Sequence, residues 1–244
     1  MGSRIAIVGA TGTIGECIAR RLHQSGESLL LVGRNQDKLA ALAADLQQPF
    51  EVVDFSTSEG LESAVRRHTD ASVRLGGIVN CIGSILLKPV QSTSDDEFRQ
   101  TIETNLFTAF ATIRTAAKLM REHGGSVVLF ASAAAEIGIS NHEAIAAAKA
   151  GIIGISRSAA ATLAPNNIRV NVISPGLIRT NLTKRIWDNP ASASASAAMH
   201  ALGRLGEPAH VASLAAWLLS AENDWVTGQV IGVDGGLGHL LPRR

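Results

Sequence analysis

Residues 4–22 constrain the fold more than any other stretch. The β-rich run Arg4 to Val8 (RIAIV) leads directly into Gly9-Ala10-Thr11-Gly12-Thr13-Ile14-Gly15, and a helical pattern follows through Leu22. In a strand, glycine-rich turn and helix the backbone curls tightly and presents free N–H groups at the positive dipole end of the helix, which suits a pyrophosphate. Glycine-rich turns are common, and the flanking strand and helix are what make this one a dinucleotide fingerprint. Gly9, Thr11, Gly12, Thr13, Ile14 and Gly15 are therefore candidate cofactor contacts.

The same alternation continues along the chain. Strand-like runs occupy Ser28 to Val32 (SLLLV), Phe50 to Val53, Gly77 to Asn80, Gly125 to Ala131 (GSVVLFA), Ile168 to Ile173 (IRVNVI) and Thr227 to Val233 (TGQVIGV). Between them lie helical patterns at Asp37 to Gln47, Glu59 to Arg67 and Ser94 to about Glu122. An alanine-rich helix carrying Lys149 follows, then Pro208 to Ser220 with Trp217 and the leucines turned inward. Alternation at this period means right-handed βαβ units and a parallel sheet. No internal repeat or linker interrupts it, so residues 1–244 read as one α/β domain. Only 177–205 lacks a clear pattern. Its run Ala191 to Ala198 (ASASASAA) has alanine to form helix but little apolar bulk to dock it. A mobile lid over a site and a plain solvated insertion both fit that composition.

An open parallel sheet binds its ligand outside the carboxyl ends of the strands, so the residues placed there are the candidates. Gly33-Arg34-Asn35 ends the second strand. A carboxylate there would hold the ribose 2′-hydroxyl of NAD, whereas a guanidinium suits a 2′-phosphate, so the sequence favours NADP(H) over NAD(H). The other reading is that Arg34 merely solvates or caps the helix beginning near Gln36. Asp54, followed by Phe55, is placed either to accept from an adenine amino group or to cap the next helix, for which Ser56 and Thr57 are more obvious. Asn80-Cys81-Ile82-Gly83 ends another strand, where Asn80 either meets the ligand or pins neighbouring backbone. Asn105 lies among Ile102, Leu106, Ala109 and Ile113, where a buried amide must find partners. Ser132 closes a strand, and Ser174-Pro175-Gly176 closes another. Lys149 is the only charged residue between Glu143 and Arg157, and on so apolar a helix it has a specific partner or snorkels to water.

Composition narrows the partners. Hydrophobic residues make up 46% and charged residues 18%, the balance of a folded chain. A net charge of +1 provides no field for a polyanion, and no basic cluster is denser than Arg66-Arg67-His68 or Arg243-Arg244. Cys17 and Cys81 fit neither a disulfide framework nor a metal site. No uninterrupted apolar run approaches a membrane span, and the first strand leaves no room for a leader. The expectation is a cytoplasmic protein acting on a small molecule, with neither nucleic acid nor membrane as partner.

Taken together, Gly9 to Gly15, Asn80-Cys81-Ile82-Gly83, Asn105, Ser132, Lys149, and Pro175-Gly176 with Ile178 and Thr180 occur in the order found in the short-chain dehydrogenase/reductase family. The tail runs from Gly203-Arg204-Leu205-Gly206-Glu207-Pro208 through Thr227-Gly228-Gln229 to Asp234-Gly235-Gly236, and is similar to the 3-oxoacyl carrier-protein reductase branch. The chain resembles the family over essentially its whole length. The resemblance implies a Rossmann-type, doubly wound sheet of seven parallel strands with helices on both faces, an NAD(P)(H) cofactor, and a homodimer or homotetramer. It implies cofactor contacts at the glycine turn, at Asn80, Ile82 and Gly83, at Lys149, and at Pro175, Gly176, Ile178 and Thr180, beside the candidates Arg34, Asp54 and Phe55 at their strand ends. Ser132 would meet the substrate oxygen, Lys149 the nicotinamide ribose, and Asn105 a proton-relay water.

Two positions depart from that pattern. Thr13 stands where the main branch has its middle glycine, and Gly12 is shifted one residue earlier, a spacing similar to extended and atypical members. Four residues before Lys149, where the family's catalytic tyrosine falls, stands Ile145, and the chain contains no tyrosine at all. A positioned acid is worth about a hundredfold to ten-thousandfold in rate. His142, three residues before Ile145 and seven before Lys149, shares a helical face with both and is the candidate donor, alone or through a water held by Ser132. Its alternative is a first-turn histidine facing solvent or serving a cap near Ser140 and Asn141. The expected activity is NADPH-dependent hydride transfer between the nicotinamide and a carbonyl or hydroxyl substrate. A catalytically silent NADP(H)-binding sensor or partner subunit is the alternative, and a lyase or isomerase is a third.

Overall fold

The computed structural model describes residues 2–240, so Arg243 and Arg244 lie outside the described residues. Seven strands form one sheet: β1 (Gly2–Val8), β2 (Ser28–Gly33), β3 (Phe50–Val52), β4 (Val73–Asn80), β5 (Gly125–Phe130), β6 (Ile168–Pro175) and β7 (Val230–Val233). Every pairing is parallel and the order is β3-β2-β1-β4-β5-β6-β7. The helices are α1 (Thr13–Gln24), α2 (Gln36–Leu46), α3 (Ser58–Arg66), α4 (Asp95–Ile102), α5 (Thr108–Leu119), α6 (Glu143–Leu163), α7 (Lys184–Trp187), α8 (Pro190–Met199) and α9 (Pro208–Leu219).

Strands buried on both faces are continuously apolar, and alternate residues serve two cores. Ala6, Val8, Leu30 and Val32 pack with Leu61 of α3, Ala109 of α5 and Ile152 of α6. Ile5, Ile7, Leu29 and Leu31 pack with Ile18 of α1, Leu39 of α2 and Val211 of α9 on the opposite face. Fully burying each of these valine, leucine and isoleucine side chains contributes about 1.5–3 kcal/mol. Strand order reverses between β1 and β4, where Val8 lies beside Asn80. The crevice above that switch point is where the topology leaves room for a ligand.

Three local differences from the sequence expectation have physical causes. β4 begins at Val73, ahead of the expected Gly77. Its Gly76-Gly77 pair resembles a turn signal, but a Cβ on Gly76 would collide with Ser3 Oγ, and one on Gly77 would lie 3.0 Å from Leu219 of α9. The long helix starts with a capping box between Ser94 and Glu97 and ends at Leu119, and residues 103–107 within it form a π-helical turn. Trp217 faces outward at 45% exposure, because Val211, Ala212, Ala215, Leu218 and Leu219 make the buried stripe of α9 and residue 217 falls off it.

The segment 177–205 carries α7 and α8. By length and composition α6, read through Asn166, could cross a membrane. It instead sets Ile152, Ala160 and Leu163 against the sheet and buries Lys149, as the core helix of a globular protein does.

Candidate functional site

The glycine turn is held from below by two hydrogen bonds, in which Gly9 and Ala10 N–H donate to Val32 O at 2.8 and 3.0 Å. Gly9 has φ +83°, and a Cβ there would press on the backbone of Cys81 and Ile82. A Cβ on Gly15 would run into the Gly9 carbonyl oxygen, so α1 meets the turn only because residue 15 has no side chain. Gly12 is the N-cap of α1 and offers no side-chain acceptor. The first-turn amides are left for an external anion, and this cradle fits a diphosphate.

At the end of β2, Asn35 caps α2 by accepting the Lys38 N–H at 2.9 Å. Arg34 is thereby relieved of the capping role, and its guanidinium is exposed. Asp54 accepts from Ser56 N–H and Oγ, while Thr57 caps α3, so Asp54 shapes the turn that holds Phe55. Asn80 is buried with both amide ends engaged: it accepts from Ile82 N–H at 2.9 Å and donates to Thr108 Oγ1 at 3.2 Å. These bonds fix the strand end that carries Ile82 and Gly83.

Asn105 sits in the π turn at 1% exposure. It accepts Ser84 N–H at 3.2 Å and donates to Ser84 Oγ and Thr101 O, both at 2.9 Å. A π turn inserts one residue into the helical ladder, and such turns concentrate at functional sites. Gly83 lies between Asn105 and Lys149, since a Cβ on it would stand 3.2 Å from Asn105 Oδ1 and 3.6 Å from Lys149 Nζ.

The centre of the site is a cavity of about 600 Å³ at the carboxyl ends of the central strands. It brings together Ser132, His142, Ile145 and Lys149 with Ile82, Gly83, Pro175, Gly176, Ile178 and Thr180. Lys149 is buried and donates to Phe130 O at 3.0 Å. Burial lowers its ammonium to about 8. Burial also pushes the Cys81 thiol up to about 12, so the thiol is neutral at physiological pH and supplies no counter-charge. Ser132 Oγ accepts the Ala134 N–H at 3.2 Å, leaving the hydroxyl proton free to donate to a substrate oxygen.

His142 occupies the N-cap position of α6 without capping it through its side chain. Its Nδ1 lies 2.8 Å from Ser140 O. A carbonyl only accepts, so Nδ1 carries the hydrogen and Nε2 is the nitrogen left to exchange protons. Ile145 is buried in the cavity wall, one turn before Lys149.

Sequence reasoning missed several contributors. Ser84, Ile85, Leu87 and Ile139 also line the cavity, and only their proximity to Gly83 and His142 in the chain hinted at it. His200, in the poorly patterned segment, is 3% exposed and has both ring nitrogens engaged. Nδ1 donates to Ser196 O at 2.7 Å, and Nε2 accepts Leu177 N–H at 3.1 Å. A Cβ on Gly176 would come within 2.6 Å of that Nε2, which ties glycine at 176 to histidine at 200.

A doubly wound sheet with a glycine turn at its switch point, and with half-buried Ser132 and buried Lys149 lining the crevice, defines a nicotinamide-dependent class of oxidoreductase fold. The family described as enoyl-(acyl carrier protein) reductase matches residues 9–238. Carbonyl reductase family member 4 of Danio rerio is 32% identical over 98% of this chain and 100% of its own. A 3-oxoacyl-(acyl-carrier-protein) reductase of Chlamydia pneumoniae is 30% identical over 98% of each. A short-chain dehydrogenase/reductase from Mycobacterium ulcerans superposes with a TM-score of 0.92 at 32% identity, over 99% of this chain and 91% of that one. An actinorhodin polyketide ketoreductase solved with NADPH shares the fold, with a TM-score of 0.90 at 23% identity over 98% of each. The chain belongs to the short-chain dehydrogenase/reductase family.

Proposed function

We propose that the chain is an NADP(H)-dependent oxidoreductase acting on a small carbonyl or hydroxyl substrate, with a proton donor other than a phenol. The observation that carries the reading is the meeting of Ser132, Lys149 and His142 in one cavity beside the glycine turn. The cofactor, when bound, supplies or accepts hydride at C4 of the nicotinamide. Arg34 is free to pair with a 2′-phosphate because Asn35 does the capping. Lys149 holds the nicotinamide ribose, and Ser132 directs its free hydroxyl proton at the substrate oxygen. The aliphatic walls, including Ile82, Ile85, Ile145, Leu182 and Ile186, exclude water and strengthen these contacts.

In reduction, hydride adds to the carbonyl carbon and the oxygen must take up a proton. His142 provides it from Nε2, directly or through one water, and only as the imidazolium, because Ser140 O already holds the Nδ1 hydrogen. His142→Ala should lower turnover by about a hundredfold or more. Full turnover in that variant would remove His142 from the mechanism.

A further inference from the structure

Thr13 is the first helical residue of α1, and its hydroxyl reaches out of the glycine turn. Thr13 Oγ1 accepts the backbone N–H of Asn181 at 3.2 Å. Among the described residues this is the single hydrogen bond between the turn 9–15 and the segment 177–205. The segment around Asn181 is itself knotted. Thr183 Oγ1 donates to Ile178 O at 2.6 Å and lies 3.0 Å from Thr180 Oγ1, and Trp187 Nε1 donates to Thr180 O at 2.9 Å. Holding Asn181 thus holds residues 178–187 as a unit, and that unit carries Leu182, Thr183, Arg185 and Ile186 of the cavity wall.

With its lone pair given to Asn181, the Thr13 hydroxyl still has a proton to donate, and no described residue takes it. It lies at the N-terminus of α1, beside first-turn amides that Gly12 leaves uncapped. A phosphate oxygen bound to those amides is the natural acceptor. The chain Asn181 N–H to Thr13 O–H to phosphate would then polarise in one direction, each bond strengthening the next.

We propose that Thr13 is a positioning residue that couples occupation of the α1 N-terminus by the cofactor diphosphate to seating of residues 178–187 over the substrate cavity. The coupling rests on the NADP(H) reading. A glycine at 13 would leave the turn intact and the two parts uncoupled.

The test compares wild type, Thr13→Val and Thr13→Ser. NADPH affinity is measured by fluorescence titration, and hydrogen–deuterium exchange is followed across residues 9–24 and 178–187. NADPH should slow exchange in both regions of wild type and Thr13→Ser. In Thr13→Val the affinity should fall about twofold to tenfold. At saturation, protection of 9–24 should persist in that variant while protection of 178–187 is lost. Inorganic pyrophosphate alone should slow 178–187 in wild type and not in Thr13→Val. Equal protection of 178–187 in wild type and Thr13→Val, with NADPH bound to both, would overturn the coupling and leave the cofactor reading standing. No NADPH binding to any of the three would overturn both.

Discussion

Lys149→Met separates a binding lysine from a structural one. In the free protein the ammonium is buried with a single carbonyl partner, and desolvation lowers it from 10.5 to about 8. A folded value below the unfolded one means that the charged form is disfavoured in the fold. The unfolded chain holds more protons between pH 8 and 10.5, so stability rises with pH across that window, and the full penalty is present below it. The difference of about 2.5 units corresponds to roughly 3 kcal/mol at 1.36 kcal/mol per unit. Methionine removes the charge but leaves Phe130 O without a donor, a cost of about 1–3 kcal/mol that does not vary with pH. The variant should therefore match or exceed wild-type stability near neutrality and fall below it at pH 10.5. That swing of roughly 3 kcal/mol is about 6–12 °C in Tm for a chain of this size. Thermal unfolding of both proteins across the range measures it, and titrating groups that do not sense Lys149 cancel in the comparison, leaving Cys81 as the coupled neighbour. A stability difference independent of pH would refute the desolvation argument. Loss of NADPH binding in the variant, with stability kept at neutral pH, would assign Lys149 to the cofactor.

Two further substitutions probe the cofactor cradle. Arg34→Glu places a carboxylate where a 2′-phosphate is expected, so NADPH affinity should fall on the order of tenfold to a hundredfold while NADH affinity holds or improves; equal losses for both cofactors would count against the guanidinium–phosphate pairing. Gly15→Ala drives a methyl group into the Gly9 carbonyl, and backbone cannot yield as a flexible side chain does. It should cost about 1–3 kcal/mol in urea unfolding and abolish dinucleotide binding, and a variant that binds NADPH normally would show that the turn is looser than its geometry implies.

The parallel sheet was legible because both of its signals are local: strands of continuous apolar residues, and helices spaced between them. The glycine turn was legible for the same reason, since Gly9 and Gly15 each sit where a Cβ has no room. Features that depend on contacts between distant residues were not. The start of β4 was hidden by Gly76-Gly77, whose need for glycine comes from Ser3 and Leu219. The π turn at Asn105 has no periodicity of its own, and the partner its amide meets is the Ser84 backbone 21 residues earlier. Trp217 misled because a large aromatic suggests a core, yet the smaller Ala212 and Ala215 lie against the sheet. Thr13 and His200 act through partners in 177–205, where composition alone says nothing about geometry. His142 was expected on a helical face and sits at its first boundary, where Ser140 fixes its tautomer.

Hydride transfer without a phenol is the central claim, and isotope transfer tests it most directly. The protein is incubated with NADPH deuterated at C4 and a panel of ketones and 3-oxoacyl thioesters, and the products are read by mass spectrometry beside those of Ile145→Tyr. Wild type is predicted to deliver one deuterium to the carbinol carbon of at least one substrate, with the variant equal or faster. NADPH bound but never consumed by wild type, with label transferred only by Ile145→Tyr, would contradict the account and identify the native chain as a silent binder of the dinucleotide.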